Sequence, residues 1–104
     1  MTEKETIKDV LVEEFYDNGQ LRNRVTYKNG KRHGLSEYYY DNGQLEYRGN
    51  YKNDKEHSLW EWFYKNGQLC WRGNFKNRKR DSLWEYFHEN GTLIRTEEWK
   101  DGVL

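Results

Sequence analysis

One dipeptide and its spacing constrain this chain more than any other feature. Asn-Gly stands at Asn18-Gly19, Asn42-Gly43, Asn66-Gly67 and Asn90-Gly91, a period of 24 residues without an insertion, and each pair leads into a leucine: Leu21, Leu45, Leu69 and Leu93. A period between about 20 and 50 residues is the mark of a repeat architecture, in which each unit is one supersecondary element that cannot bury its apolar face alone. The fullest copy runs Leu59-Trp60-Glu61-Trp62-Phe63-Tyr64-Lys65-Asn66-Gly67-Gln68-Leu69-Cys70-Trp71-Arg72-Gly73-Asn74-Phe75. Function has to be argued from that unit, because little else is left over.

The unit reads as a β-hairpin. Asn-Gly tolerates positive φ at both central positions of a type I′ turn, whose twist suits the flanking strands. With Asn66-Gly67 in that role, Tyr64 faces Leu69, Trp62 faces Trp71, Glu61 faces Arg72 and Trp60 faces Gly73, which leaves room for the indole. The other copies keep the register: Tyr40 faces Leu45, Tyr38 faces Tyr47, Glu37 faces Arg48, Glu13 faces Arg24 and Val12 faces Val25. In the fourth copy Glu85 meets Thr96 and Trp84 meets Glu97, as suits a terminal unit whose outer edge meets water. A second two-residue turn at Asn29-Gly30 would put Val25 opposite Gly34, and Asn53-Asp54, Asn77-Arg78 and Asp101-Gly102 hold the corresponding places.

The sum is an all-β, antiparallel β-hairpin repeat meander of about eight strands, over 10-16, 21-27, 34-40, 45-51, 58-64, 69-75, 82-88 and 93-99. It forms a single elongated, curled sheet in one domain, 10-104, preceded by a polar extension over 1-9. Alternation gives an aromatic face (Trp60, Trp62, Tyr64, Leu69, Trp71, Phe75) and a mixed face (Leu59, Glu61, Phe63, Cys70, Arg72, Asn74). On the mixed face, Glu13, Glu37, Glu61 and Glu85 beside Arg24, Arg48 and Arg72 read as a cross-strand ladder of ion pairs.

Such a sheet suits the composition. Of 104 residues only 34% are hydrophobic and 35% are charged, which is lean for a two-layer core, whereas five Trp, nine Tyr and four Phe supply large rings with polar tips. Eighteen basic and eighteen acidic residues cancel, which removes the electrostatic case for nucleic acid or an anionic membrane. One cysteine, Cys70, excludes a disulfide within the chain and favours a reducing compartment. The N-terminus lacks the apolar stretch of a signal peptide, and no window approaches the roughly 18 apolar residues of a membrane helix. The expectation is a cytoplasmic protein.

The units resemble the MORN-repeat-variant family, often described as antitoxins of the YwqK type. The resemblance covers about residues 10 to 102 and is carried by Gly34-Leu35-Ser36-Glu37-Tyr38-Tyr39-Tyr40, Ser58-Leu59-Trp60-Glu61-Trp62-Phe63-Tyr64 and Ser82-Leu83-Trp84-Glu85-Tyr86-Phe87, each running into its Asn-Gly. It implies a MORN-like sheet and an antitoxin or immunity-type role. Where that family carries glycine, this chain has Asp54, Arg78, Ser58 and Ser82, so looser, irregular second and third connections are expected.

Nothing points to catalysis, a cofactor or a metal. His33 and His57 repeat about two strands apart, roughly 10 Å, too far to share an ion, and with His88 they read as solvated loop residues. No Gly-rich phosphate loop opens a helix, Cys70 reads as filler beside Phe63, and the regular glutamates opposite arginine read as structural. The aromatic face carries the functional promise: Tyr38, Tyr47, Trp60, Trp62, Tyr64, Trp71, Trp84 and Tyr86 make a patch rich in the residue types that dominate interfaces. Most of these rings are expected to stack as the sheet's own core, leaving a rim for binding. The leading expectation is a protein-binding module that blocks a toxin or effector, ahead of a membrane-surface scaffold or a glycan-binding repeat. Edge strands 10-16 and 93-99 also invite pairing into a homodimer.

Overall fold

The computed structural model describes residues 9–104. Eight strands follow in chain order: β1 (Asp9–Phe15), β2 (Leu21–Lys28), β3 (Lys31–Tyr39), β4 (Leu45–Lys52), β5 (Lys55–Phe63), β6 (Leu69–Lys76), β7 (Lys79–Phe87) and β8 (Leu93–Trp99). All belong to one open antiparallel sheet in which each strand pairs only with its sequence neighbours. This is the hairpin meander that the 24-residue period implies. Apart from Asp9, the extension expected over 1-9 lies outside the described residues. The radius of gyration is 16.3 Å and the Cα extents are 57 × 40 × 12 Å. A compact domain of about 100 residues would have a radius near 13 Å, so this is a slab one sheet thick.

The two-residue turn expected at Asn29-Gly30 is present, whereas the four periodic Asn-Gly turns and the second and third connections between units differ from the sequence expectation. In each of the four Asn-Gly pairs spaced 24 residues apart only the glycine has positive φ, 87° to 91°. Tyr64 N–H donates to the Gln68 carbonyl (2.8 Å) and Gly67 N–H to the Tyr64 carbonyl (3.0 Å), and the other units repeat this. That is a three-residue loop, a type I turn closed by a left-handed glycine. Asparagine serves differently than expected: its Oδ1 accepts the N–H two residues on, at 2.9 Å from Gln68 to Asn66. The residues with positive φ at both central positions are Asn29-Gly30, Asn53-Asp54, Asn77-Arg78 and Asp101-Gly102. The connections at Asp54 and Arg78 are therefore tight two-residue turns, not irregular loops, and Arg78 holds φ of 73° without being glycine.

Two bulges set the register, one returning it to the expected pairing and one shifting it. At the Asn-Gly end Leu69 pairs with Phe63, not Tyr64, and Cys70 is the extra residue that brings Trp62 back opposite Trp71, Glu61 opposite Arg72 and Trp60 opposite Gly73. The longer turn and the bulge cancel, so the middle of the hairpin matches the expected pairing while its turn end does not. Between units, Tyr27 pairs with Arg32 but Val25 pairs with Ser36, not Gly34. The extra residues there include Gly34, and in later units Ser58 and Ser82, both at φ of 64°. Leu59 and Leu83, next to these bulged serines, stay exposed on the sheet.

Cohesion comes from one seat per unit boundary. The Trp60 ring lies over Gly49 and the Trp84 ring over Gly73; the expected cover of Gly73 by Trp60 is replaced by this lean toward the preceding unit. Trp60 is 4% exposed and Trp84 1%. Their indole N–H groups donate to the backbone carbonyls of Asn50 (3.1 Å) and Asn74 (3.0 Å). At the first boundary the same register positions hold Val25 and Ser36, a larger residue facing a smaller one, both buried. After β8 the seat position holds Glu97, whose carboxylate accepts from Tyr86 Oη (2.8 Å) and Trp99 Nε1 (3.1 Å). A charged, hydrogen-bonded side chain thus closes the end of the stack.

Both rims add links between units. Tyr16, Tyr40 and Tyr64 donate their hydroxyls to the carbonyls of Tyr39, Phe63 and Phe87 at 2.6 to 2.7 Å. Asn18, Asn42 and Asn66 donate their amides to Asp41, Lys65 and Glu89 carbonyls. At the opposite rim Asp54 N–H donates to the Arg32 carbonyl, and Arg78 and Gly102 repeat the bond to Glu56 and Arg80. The carboxylate row on the mixed face is present with different partners: Arg48 pairs with Glu61 (2.7 Å) and Arg72 with Glu85 (2.6 Å), across unit boundaries, instead of Glu37 with Arg48 and Glu61 with Arg72. Only Arg24 meets its expected partner, Glu13, at 2.8 Å. With Arg48 and Arg72 45 to 46% exposed, each of the two pairs across unit boundaries contributes about 0.2–1 kcal/mol.

Candidate binding groove

One straight register line crosses the sheet through Tyr38, Tyr47, Trp62, Trp71 and Tyr86. Strands in this region are about 4.8 Å apart, a spacing that lets flat rings on neighbouring strands stack. Tyr38 stacks on Tyr47 at 4.4 Å between centroids, Tyr47 on Trp62 at 4.2 Å, Trp62 on Trp71 at 5.6 Å and Trp71 on Trp84 at 5.0 Å. The interplanar angles stay between 13° and 26°, so the inner rings spend both faces on each other and turn their edges outward. Tyr51 and Phe75 stand nearly perpendicular to Trp60 and Trp84, at 5.0 and 5.1 Å.

Between these two sets runs a shallow groove of about 320 Å³. Trp60 and Trp84 form its floor; Tyr47, Trp62 and Trp71 line one side, and Tyr51, Phe75, Glu56 and Arg80 the other. Of the eight expected site residues, the structure joins Tyr38, Tyr47, Trp60, Trp62, Trp71 and Trp84 in one assembly. Trp60 and Trp84 are buried floor, Tyr47, Trp62 and Trp71 are half-buried wall, and half-buried Tyr38 stacks behind Tyr47 outside the groove lining. Tyr86 leaves the stack, with the Arg95 guanidinium 4.2 Å from its centroid. Tyr64 is not part of the groove: the longer turn moves it to the rim, where its hydroxyl holds the Phe87 carbonyl.

Sequence reasoning missed Tyr51, Glu56 and Arg80. The aromatic column Tyr27, Tyr51, Phe75, Trp99 and the charged column Arg32, Glu56, Arg80 both keep the 24-residue period, so the signal was there. The inter-unit bulge concealed which face they share. Arg32 lies 4.2 Å from the Tyr51 centroid, and Arg80 sits 4.5 Å from Trp84 and 5.1 Å from Trp99.

The groove is a low-dielectric place for hydroxyls. Burial, then the neighbouring Tyr38 and Tyr51, pushes the Tyr47 phenol well above its usual range; burial also raises Tyr51 and, with the Glu97 hydrogen bond, Tyr86. These tyrosines stay neutral donors at physiological pH. The Tyr86 hydrogen bond, helped by Trp99 and Arg95, holds Glu97 below the usual carboxylate range. The backbone N–H and then the side chain of Arg32 do so for Asp54.

The histidines fall in strands, contrary to the loop expectation, for His33 in β3 and His57 in β5. His57 and His88 are exposed, while His33 is half-buried with Nδ1 enclosed and unpartnered. Cys70 is a half-buried free thiol at its bulge. Among the described residues no three His, Cys, Asp or Glu side chains converge on a metal position, and no helix is long and apolar enough to cross a membrane.

A single-layer hairpin array with an aromatic groove on one face defines a repeat-built binding or scaffold module. The MORN repeat variant pattern matches residues 8–29, 32–53, 56–77 and 80–101, and the chain belongs to that family. No curated protein matches it as a relative. Among solved structures it is similar over 92% of its length to 21% of the TarM chain, at 13% identity and a TM-score of 0.50. It is also similar over 88% to 17% of a chain in the structure of accessory secretory protein 1, 2 and 3 in Streptococcus pneumoniae, at 15% identity and 0.48. This chain thus spans about a fifth of each of those chains. At these identities the likeness concerns the fold alone.

Proposed function

We propose that this protein is a non-enzymatic, cytoplasmic module that binds another protein through the aromatic groove, in the manner of an antitoxin or immunity protein that covers a toxin or effector. One observation carries the reading: a five-ring stack in a thin sheet leaves Tyr47, Trp62 and Trp71 half-exposed beside a groove, held rigid by links on both rims. Rigid aromatic anchors that cost little conformational entropy are what interface hot spots require. The stacking also weighs against a glycan ligand, because sugars pack on ring faces and here the inner faces are occupied. Affinity purification from the native host with mass spectrometry tests the proposal. A protein partner lost on Trp62→Ala, in protein that still shows the wild-type circular dichroism, supports it. Recovery of no partner, or of one indifferent to Trp62→Ala and Trp71→Ala, would sink it.

A further inference from the structure

Resting on that reading, we infer that the groove takes a protein segment that places an aromatic or aliphatic side chain over Trp60 and Trp84 and a single carboxylate against Arg80. Arg32 pairs with Asp54, Arg95 with Glu97, and Arg24, Arg48 and Arg72 with glutamates, whereas Arg80 joins none of the ion pairs among the described residues. Its guanidinium is nevertheless fixed in place. It lies between the Trp84 and Trp99 rings and gives one N–H to Tyr86 Oη at 2.9 Å. Stacking leaves the guanidinium's remaining in-plane N–H groups free, the geometry that suits a bidentate carboxylate. An exposed, immobilised cation at the lip of an apolar groove is the charge a partner must complement.

Glu56 restricts the choice. It occupies the same unit position as Arg80 one unit earlier, about 10 Å away across two strands, and lines the same groove without an ion pair of its own. A polyacidic tract or an anionic membrane would bring negative charge onto Glu56 together with Arg80, and like charges oppose this. One acid beside one apolar anchor satisfies both ends of the groove.

The test is a random peptide library displayed on phage and selected on the immobilised protein. Enriched peptides are expected to carry Asp or Glu within two residues of an aromatic or Leu. A synthetic copy of the best peptide should lose about tenfold or more in affinity against Arg80→Met, which keeps the packing volume but not the charge. Arg80→Glu should weaken it further, with recovery when the peptide's acid is changed to Lys. Peptides that need Trp62 but are indifferent to Arg80→Met would overturn the carboxylate requirement and leave the protein-binding reading standing. Peptides indifferent to Trp62→Ala as well, or no enrichment, would remove both. Sedimentation with phosphatidylserine vesicles at physiological salt is expected to show no binding. Vesicle binding lost on Arg80→Met would overturn the inference by assigning the guanidinium to a lipid headgroup.

Discussion

The seats of Trp60 and Trp84 make a strong claim about what holds the sheet together, and Gly73→Ala tests it with one methyl group. Three ring carbons of Trp84 lie within 2.5 Å of where a Cβ on Gly73 would stand, against the 3.4–4 Å of ordinary contact. The ring would have to retreat by about an ångström or more, yet the ladder between β6 and β7 fixes the two backbones. Trp84 must therefore swing out. A buried Trp hides about 150–250 Å², so full exposure at ~25 cal/mol/Å² costs about 4–6 kcal/mol, an upper bound that partial reburial and a compact unfolded chain reduce. Loss of the bond from Nε1 to the Asn74 carbonyl adds about 1 kcal/mol. Relief of glycine's backbone entropy returns about 0.5–1 kcal/mol. The expected net is roughly 3–4 kcal/mol of destabilisation.

Urea unfolding followed by far-ultraviolet circular dichroism reads this out. With a slope of about 1–3 kcal/mol/M, the midpoint should fall by about 1 M or more. The first unit boundary supplies the control, because Val25 and Ser36 fill there the space that glycine and tryptophan fill elsewhere. Gly73→Val together with Trp84→Ser should be no less stable than Trp84→Ser alone, a departure from additivity of about 3–4 kcal/mol or more. A loss below about 1 kcal/mol for Gly73→Ala, or additive effects in the cycle, would refute the reasoning.

Three further outcomes are expected. Arg78→Gly and Ser58→Gly should each raise stability by about 0.5–1 kcal/mol in the same urea assay, because both residues hold left-handed φ at 73° and 64° where glycine is unstrained. Ser36→Ala should be neutral or stabilising by up to about 1–2 kcal/mol in thermal unfolding, since the Ser36 hydroxyl is fully buried without a hydrogen-bond partner. Glu97 and Asp54 have depressed carboxyl pKa values in the fold, so their stabilisation is fully present above the unfolded values near 4 to 4.5 and is lost as pH falls through the folded ones. Unfolding midpoints measured from pH 6 to 3 should therefore decline more gently for Glu97→Gln than for wild type, and identical slopes would count against the capping role of this carboxylate.

What the sequence displayed, it displayed through the period. Strand number, order and the central pairing of every hairpin follow from four Asn-Gly pairs 24 residues apart, because any register error would have to recur in all four units. The turn chemistry was hidden by a compensation: a loop one residue longer than a type I′ turn, followed by one bulged residue at Cys70, gives the same alignment at Trp62 and Trp71. Pattern alone cannot separate two offsetting shifts from none. Tyr64 fell on the wrong side of that difference, and so did Leu69. The partners of Arg48 and Arg72 were equally out of reach, because Glu37 and Glu61 each have an arginine on both neighbouring strands. Arg48 to Glu37 or to Glu61 is then decided by side-chain reach, not by register.

Cohesion and recognition draw on the same rings. A sheet without a second layer has two faces to account for, and this one settles the aromatic face by splitting each unit's rings in two. Trp60 and Trp84 go down onto glycines and become the floor; Trp62, two residues from Trp60, and Trp71, on the strand between the two floor residues, stay up and become the wall. The split needs a glycine in the preceding unit, so it operates only where Gly49 and Gly73 stand. The groove accordingly spans β4 to β7 and stops at both ends, where Ser36 replaces the tryptophan and Glu97 replaces the glycine. The residues that hold adjacent units together therefore also set the length of the groove. A chain with one more Gly–Trp boundary would extend the surface by two strands, about 10 Å, without changing its cross-section.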